Sequence, residues 1–357
     1  MVYLYLLQTP GFINPEARGN RSCPKQKNKV SATKVFASIL RSFAPAITFA
    51  VAMALLWTQP AVSEESWVGN TSGPFFTGTA DAEPFGSWYY EPFVFDSINN
   101  SSYQINTLQK FAVGLSHDME FDLSVPVIYN EGQNSQNVPV DYFGLGDIAV
   151  QLKTQISKEC DDYNFLSTPS VAVIAGATVP TGNYQNLSPG LDGIDQSGNG
   201  TYDLDVGIEV HKLADPFEFY LELADYLIFP ADVRAPYAFN NGSQLLPGTS
   251  LDMVDGNLFY YAAALEYVVD PKIGFGYLLE IYGETQNHDN LVYGAANAPS
   301  WSAFWVAPEV EVTWPDRGDF TITWGAGVAI PVAQSNYPRT FIPMATATFY
   351  FNSGGSR

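Results

Sequence analysis

Three features of the sequence predict an all-β protein, a transmembrane antiparallel up-and-down β-barrel of about 12 strands. From residue 85 onward, polar and apolar residues alternate one by one between clusters of turn-forming residues. The connections between the predicted strands are alternately short and long. Acidic residues are concentrated on one face of several strands, so that face is expected to meet water and the apolar face to meet lipid.

The N-terminal region (residues 1–63) is interpreted as a leader that contains a secretory signal peptide and is cleaved after Ser63. A basic stretch precedes an apolar run at residues 44–57, and Ala61-Val62-Ser63 supplies the small residues that a signal peptidase recognises. The apolar run is short for a bilayer span, although an uncleaved anchor is the alternative. Residues 1 to 30 do not resemble a signal peptide, so we expect the natural start near Val30.

The chain beyond the leader is strongly acidic. Seven of the 16 Lys and Arg residues and one of the 37 acids lie in the leader, which leaves nine basic and 36 acidic residues, a net charge of −27. This charge excludes nucleic acid as a partner, because phosphate binding requires clustered Lys and Arg. Cys23 is removed with the leader, so Cys160 has no partner for an intramolecular disulfide.

The predicted domains are a periplasmic segment (64–84), the barrel (85–351) and a C-terminal tail (352–357). The predicted strands are residues 85–95, 103–115, 119–129, 143–157, 165–180, 201–212, 216–229, 257–269, 272–285, 301–314, 319–330 and 342–351. Short connections lie at 116–118, 213–215, 270–271 and 315–318, and long ones at 130–142, 181–200, 230–256, 286–300 and 331–341. One rim of short turns and one rim of long loops are typical of the bacterial outer membrane, with both termini in the periplasm.

Alternation along the strands assigns side chains to the two faces of the barrel wall. Between residues 201 and 212, for example, Leu204 and Val206 share one face, and Asp203 and Asp205 share the other. Burying so many acids in a dry core would cost several kcal/mol each, so the acidic face is predicted to line a wet lumen. The predicted solute pathway comprises Glu120, Asp122, Lys153, Asp203, Asp205, Glu209, Glu218, Glu222, Glu266, Lys272, Glu280, Glu309 and Glu311, with Lys110, Asp147 and Glu284 on the same face.

Aromatic residues near the strand ends are predicted to form girdles at the two membrane interfaces. These residues are Trp88, Tyr90, Trp301, Trp314, Trp324 and Tyr350. The alternative is the ordinary preference of aromatic residues for strands.

Three short motifs carry a resemblance to a known family. They are GLGDIAVQLKTQI from Gly144, VPTG from Val179 and the segment SPGLDGIDQSGNGTYDLDVGIEV from Ser188. They resemble the outer-membrane transporter family labelled "putative MetA pathway of phenol degradation", in which Gly-Leu-Gly-Asp opens a strand, Pro-Thr-Gly ends one and a Gly-rich turn leads into another. The matching positions are Gly144, Leu145, Gly146, Asp147, Pro180, Thr181, Gly182, Gly198, Gly200, Tyr202 and Asp203. The resemblance implies a barrel and the uptake of small organic solutes.

The segment from Asp195 to Gly200 also has the spacing of the first ligands of a calcium-binding EF-hand loop. The twelfth position of such a loop requires a bidentate acid, and here it is Val206. We therefore expect no metal site and no cofactor, the alternative being a weak surface cation held by Asp192, Asp195 and Asn199.

The three histidines give no indication of catalysis. His117 lies in a tight turn, His288 has no carboxylate at the spacing of a same-face pair, and His211 can pair with Glu209 on its own strand. The motif of a serine lipase is absent from the sequence. The chain is therefore not expected to be an enzyme.

The sequence thus predicts an outer-membrane channel for passive passage of small neutral or cationic solutes, aromatic and hydrophobic ones included, with loop 230–256 as its gate or inward-folding plug. The expected partners are the solute, outer-membrane lipid, periplasmic chaperones and the barrel-assembly machinery. Two alternatives remain. The three lysines, His211, Tyr220, Tyr260 and Tyr282 could bridge the carboxylates into a rigid, plugged interior, or a closed barrel could display its loops as a receptor or adhesin.

Overall fold

The computed structural model describes residues 73–98, 103–134, 136–159, 167–184, 187–188, 191, 194–229, 231–234, 250–253, 257–270, 273–287, 300–314, 320–337 and 339–351. The predicted leader, Lys272, His288 and Cys160 lie outside these residues, as does loop 230–256 apart from the two short segments 231–234 and 250–253. The described residues contain β-strands and no helix, and none could cross a membrane as a helix.

The strands follow one another along the chain with few interruptions. Their bounds are β1 Trp88–Ile98, β2 Tyr103–Gly114, β3 Met119–Gln133, β4 Pro139–Leu145, β5 Ile148–Ser157, β6 Ser170–Val179, β7 Tyr202–Ala214, β8 Phe217–Phe229, β9 Ala231–Arg234, β10 Ser250–Met253, β11 Leu258–Asp270, β12 Phe275–Gln286, β13 Trp301–Trp314, β14 Phe320–Ser335 and β15 Ile342–Phe351.

The main sheet closes on itself as an antiparallel barrel. Strand β1 pairs with β2 on one side and with the last strand, β15, on the other, and β2 continues to β3. Strands β4 and β5 both pair with β3 and are separated by Gly146 and Asp147, so together they form one interrupted barrel strand. The barrel therefore has twelve strands, and β9 and β10 form a separate ribbon in the connection between β8 and β11.

The predicted strand order is confirmed, and the differences are the interruption between β4 and β5, the β9–β10 ribbon and several strand ends. Strand β1 begins at Trp88 and not at residue 85, because Gly86 and Ser87 form a turn bonded to Gly114 over distances of 3.0 Å. Strands β3 and β14 extend to Gln133 and Ser335, several residues farther than predicted. Alternation cannot locate such ends, since paired extensions continue the same pattern into the loops.

The two faces of the wall are also as predicted. In β8, Glu222 and Tyr226 are buried, whereas Phe219 and Leu221 on the opposite face are more than a third exposed. Large apolar side chains such as Val206, Leu279 and Trp324 are exposed on several other strands. An apolar exterior continued from strand to strand is the surface that hydrocarbon requires, and it identifies the outside of the barrel as lipid-facing.

The predicted aromatic girdles are correct only in part. Trp88 and Trp324 face outward. Trp301 is buried inside and its Nε1 donates to Gln286 2.5 Å away, and Tyr350 packs against the buried ring of Tyr89. These two were assigned wrongly because proximity to a strand end does not decide which face a side chain lies on. The face is decided by strand register, and for Trp301 by its pairing with Gln286. The side chain of Trp314 lies outside the described residues.

Candidate functional site

The interior of the barrel contains the segment that precedes β1. We call residues 73–87 the N-terminal plug. Phe75, Phe76, Thr77 and Ala80 of this segment are almost fully buried, and the ring of Phe76 stacks on that of Tyr282 with centroids 4.1 Å apart. Residues 73–84, which belong to the predicted periplasmic segment 64–84, thus contact the inward face of the barrel wall. Residues 64–72 lie outside the described part of the chain.

Carboxylates of the barrel wall accept the backbone N–H groups of the plug. Glu280 accepts from Phe76 at 3.1 Å and from Thr77 at 2.8 Å, and Glu222 accepts from Gly78 at 2.6 Å. Glu120 accepts from Glu83 at 2.7 Å. Through these side-chain bonds the plug satisfies its backbone N–H groups without joining the sheet.

The centre of the plug passes close to the wall at Gly78. A Cβ at this position would lie 1.9 Å from Oε1 of Glu209 and 3.1 Å from Oε2 of Glu222. A side chain here would have to move the carboxylate of Glu209, which is bonded to Lys153, or shift the plug. Glycine thus permits the close approach of the plug to the wall.

A chain of hydrogen bonds fixes the plug to β7 and β8. Oδ2 of Asp81 lies 2.5 Å from Nδ1 of His211, and Nε2 of His211 lies 3.2 Å from Oε2 of Glu218. Tyr220 donates to Glu218 at 2.6 Å and to Glu266 at 3.1 Å. Burial alone would raise the pKa of Asp81, but the hydrogen bond and charge of His211, together with two further donors, lower it to about 2.

Few cations offset the buried acids. Lys153 bridges Glu120 at 3.2 Å and Glu209 at 3.5 Å, and Lys110 lies 4.0 Å from Asp122. Burial raises the pKa of Glu83 on the plug to about 7, although the charge of Lys153 opposes the shift. The bridged interior that the sequence left as an alternative is therefore present around Lys153 and His211.

The remaining described members of the predicted pathway are buried on the same inward face. They are Asp122, Asp203, Asp205, Glu209, Glu218, Glu266, Glu309 and Glu311. Towards the long loops, the interior changes from acidic to aromatic. Tyr282 stacks on Trp305 with centroids 5.1 Å apart, and Tyr337 packs edge-on against Trp305 at 5.6 Å. Tyr337 follows β14, and no periodic pattern in the sequence could have placed it there.

The motif residues form a cap between the β4–β5 interruption and the β6–β7 connection. Asp147 accepts from the backbone of Gly182 at 2.9 Å and of Asn199 at 2.7 Å. Thr181 donates to the carbonyl of Gly146 at 2.8 Å, and Ser197 donates to that of Leu145 at 2.7 Å. The motif therefore ties a long loop to the barrel rim. Its other members lie beside this cap, Gly144 in β4, Pro180 directly after β6, Gly200 before β7 and Asp203 at the start of β7.

The segment with calcium-like spacing belongs to the same cap. Asp195 accepts from the backbone N–H of Ser188 at 2.5 Å, and its carbonyl accepts from the side chain of Asn183 at 2.8 Å. Asn199 uses its backbone N–H for Asp147. These residues thus stabilise the loop. Asp192 lies outside the described residues.

A closed antiparallel barrel with an apolar exterior and a polar, aromatic interior defines an outer-membrane β-barrel protein. Residues 71–340 match the model of the family described as "Putative MetA-pathway of phenol degradation". The chain belongs to this family, and its location is the bacterial outer membrane.

The chain is similar to several solved structures. An outer membrane channel from Pseudomonas putida F1 superposes with a TM-score of 0.55 at 14% identity, covering 77% of this chain and 98% of that one. The NanC porin gives 0.39 at 12% identity, covering 74% and 99%, and the CymD monoaromatic hydrocarbon channel gives 0.37 at 8%, covering 76% and 89%. No curated protein matches the sequence.

Proposed function

We propose that the protein is an outer-membrane channel through which small neutral or cationic solutes, including aromatic ones, pass passively. The observation that carries this proposal is the interior of the barrel, where a band of buried carboxylates is continued by stacked aromatic rings towards the long loops. Polar groups in such numbers are costly in a barrel that serves only as a scaffold. Membership of a family named for phenol degradation supports an aromatic solute.

Passage requires the N-terminal plug to leave its position. Between Gly73 and Pro84 the plug is held by side chains of the wall, and its backbone pairs with the wall only at its end, where residues 85–87 meet Gly114. A segment attached through side-chain hydrogen bonds can undock without breaking the barrel sheet. The proposed gate is therefore this plug. The predicted gate, loop 230–256, lies largely outside the described residues.

The charge of the interior supports selection against anions. A low-dielectric tube lined by carboxylates concentrates cations and repels anions. Among the described residues of the inward face, the basic groups are Lys110, Lys153 and His211. Both ring nitrogens of His211 face carboxylates, so neither is placed to activate a hydroxyl nucleophile. We infer that the interior serves transport and not catalysis.

The alternative of a closed barrel that displays its loops as a receptor or adhesin is favoured by one observation, the docked plug itself. Planar bilayers distinguish the two functions. We expect wild-type protein to conduct intermittently and Gly78→Val, which has no room beside Glu209, to conduct for a larger fraction of the time. If both proteins stay silent, the channel proposal is wrong.

Ion selectivity tests the acidic pathway in the same experiment. Replacing Glu222, Glu280 and Glu309 together with Gln removes charge at nearly constant volume. The cation preference measured from reversal potentials should fall, most clearly at low salt, where screening is weakest. Unchanged reversal potentials in a conducting channel would show that these acids do not face the pathway. Lipid, periplasmic chaperones and the assembly machinery remain proposed partners.

A further inference from the structure

Glu284 is a buried carboxylate for which the described residues offer no charge partner. Its side chain is 2% exposed, and its Oε2 has no hydrogen-bond partner among the described residues. None of the ion pairs between described residues includes it, and Arg339, two residues beyond Tyr337, points into solvent. An ionised carboxylate in this position is costly unless a cation or a donor reaches it.

Aromatic side chains surround this carboxylate. Glu284 pairs across the sheet with Tyr260 on β11 and with Ala303 on β13. Tyr282 precedes it by two residues on the same face, and Trp301 and Trp305 stand on either side of Ala303. Tyr337 covers both tryptophans, with ring centroids 4.8 Å from Trp301 and 5.6 Å from Trp305.

Like Gln286, which follows Glu284 on the same face, Ala303 is a non-aromatic neighbour, and its small side chain stands directly opposite Glu284. A second unsatisfied polar atom lies beside it, since the buried hydroxyl of Tyr282 has no hydrogen-bond partner among the described residues. The group therefore combines a carboxylate, a hydroxyl without a hydrogen-bond partner among the described residues, and aromatic rings around a position of low side-chain volume. A cation with an apolar body satisfies all three at once.

We propose that Glu284, together with the surrounding rings of Tyr282, Trp301, Trp305 and Tyr337, forms a binding site for organic ammonium ions, that is, protonated amines carried on a small apolar or aromatic body. The ammonium donates to Glu284, and the aromatic rings hold the body and the charge. This inference rests on the proposed function, because it specifies a solute class for the same interior. It adds the requirement of a positive charge, which a hydrocarbon does not meet.

The test compares two ligands of nearly equal shape. 2-Phenylethylammonium and 2-phenylethanol are titrated into the detergent-solubilised full-length protein at pH 7 and constant ionic strength, with calorimetry and tryptophan fluorescence as readouts. Wild type should bind the ammonium roughly tenfold or more tightly than the alcohol, as expected for a hydrogen bond to a charged group. Equal binding of the two ligands by wild type would overturn the proposal without any variant.

Glu284→Gln keeps the volume and removes the charge. Its affinity for the ammonium should fall to that for the alcohol, whereas Glu131→Gln, at an exposed position of β3, should leave both affinities unchanged. Ala303→Leu fills the space opposite Glu284 and should abolish binding of both ligands while retaining the carboxylate. If the ammonium binds Glu284→Gln or Ala303→Leu as tightly as wild type, the site is not here.

The outcome is independent of conduction. A barrel that conducts in bilayers but does not prefer the ammonium retains the proposed function and loses this inference. A barrel that binds the ammonium through Glu284 yet never conducts supports the ammonium site and contradicts the proposed channel function.

Discussion

Asp81 on the N-terminal plug and His211 on β7 are joined by a contact of 2.5 Å between Oδ2 and Nδ1. The other oxygen of Asp81 accepts from Ser170 on β6 at 2.7 Å and from Gln155 on β5 at 2.9 Å. One carboxylate therefore connects the plug to three consecutive strands of the wall. This arrangement makes Asp81 the side chain through which plug docking can be tested.

Asp81→Asn should weaken docking of the plug. The amide cannot keep the charge-assisted bond to His211, and the loss of a bond to a charged group is worth roughly 1.5–3 kcal/mol. Amide hydrogen exchange of Phe76, Thr77 and Gly78 should accelerate in this variant, because these N–H groups are protected by Glu280 and Glu222 only while the plug is docked. Asp118→Asn, in an exposed turn, is the control. Unchanged exchange in Asp81→Asn would show that the plug is held elsewhere.

Acid should release the plug. The pKa of Asp81 falls from its ordinary 3.8 to about 2 on docking, so ionised Asp81 favours the docked state. The stabilisation of the docked plug by ionised Asp81 is complete above about pH 4 and is lost as the pH falls towards 2. Conductance in planar bilayers should therefore rise between pH 4 and pH 2 in wild type. Asp81→Asn should lack this step, and its presence there would assign the acid response to another group.

Glu83 adds a pH dependence of the opposite sign. Burial raises its pKa from 4.5 to about 7, so the docked state favours the protonated carboxyl. The stabilisation of the docked plug by protonated Glu83 is complete below about pH 4.5 and is lost as the pH rises towards 7. Plug docking should thus be strongest near pH 4 to 5. In wild type, hydrogen exchange of the plug, corrected for intrinsic rates, should therefore rise between pH 5 and pH 7. Glu83→Gln should show a smaller rise.

The cap over the rim provides a further prediction. A Cβ at Gly198 would lie 2.4 Å from Oδ1 of Asp147 and 2.9 Å from the Cα of Gly182. Gly198→Ala should push the Asp147 carboxylate off the N–H groups it accepts, at a cost of about 1–3 kcal/mol. The connection between β6 and β7 should then be cleaved faster by protease in intact barrels. Ser188→Ala, at an exposed position of the same connection, should be cleaved at the wild-type rate.

The barrel could be predicted from the sequence because its determinants are local. The alternation that places Leu204 outside and Asp205 inside is contained in neighbouring residues, and turn chemistry separates one strand from the next. The plug could not be predicted in this way. Its bond from Phe76 to Glu280 joins residues 204 positions apart, and the plug sequence has no period that indicates burial.

For the functional residues too, the sequence pattern predicts the face of the barrel wall but not the long-range contacts. Glu222 and Glu280 were placed on the inward face by alternation, but their acceptance of plug N–H groups depends on the path of a distant segment. Asp147 was identified through the motif, whereas its bonds to Gly182 and Asn199 require the folded loop. Glu284 was assigned to the correct face, and the aromatic ring around it includes Trp301, which was assigned to the wrong one.

Two adjacent alanines in β11 test which face of the barrel wall meets lipid and which faces the interior. Ala263 faces outward between half-buried Tyr261 and exposed Leu265, and Ala264 is buried between Ala262 and Glu266. Ala263→Arg places a charge in hydrocarbon near the midplane, which costs roughly 2–4 kcal/mol. Its refolding yield into lipid vesicles, scored by heat-modifiable gel mobility, should fall well below that of wild type.

Ala264→Arg places the same side chain inside the barrel. There it pairs across the sheet with Tyr220 and Glu280 and adjoins Glu266, so carboxylates compensate its charge. This variant should refold in vesicles nearly as well as wild type. Because Glu280 also accepts from Phe76 and Thr77, the new guanidinium should compete for that carboxylate and accelerate hydrogen exchange of the plug. Equal refolding of the two variants in vesicles, or complete folding of wild type in buffer without lipid or detergent, would contradict the assigned faces.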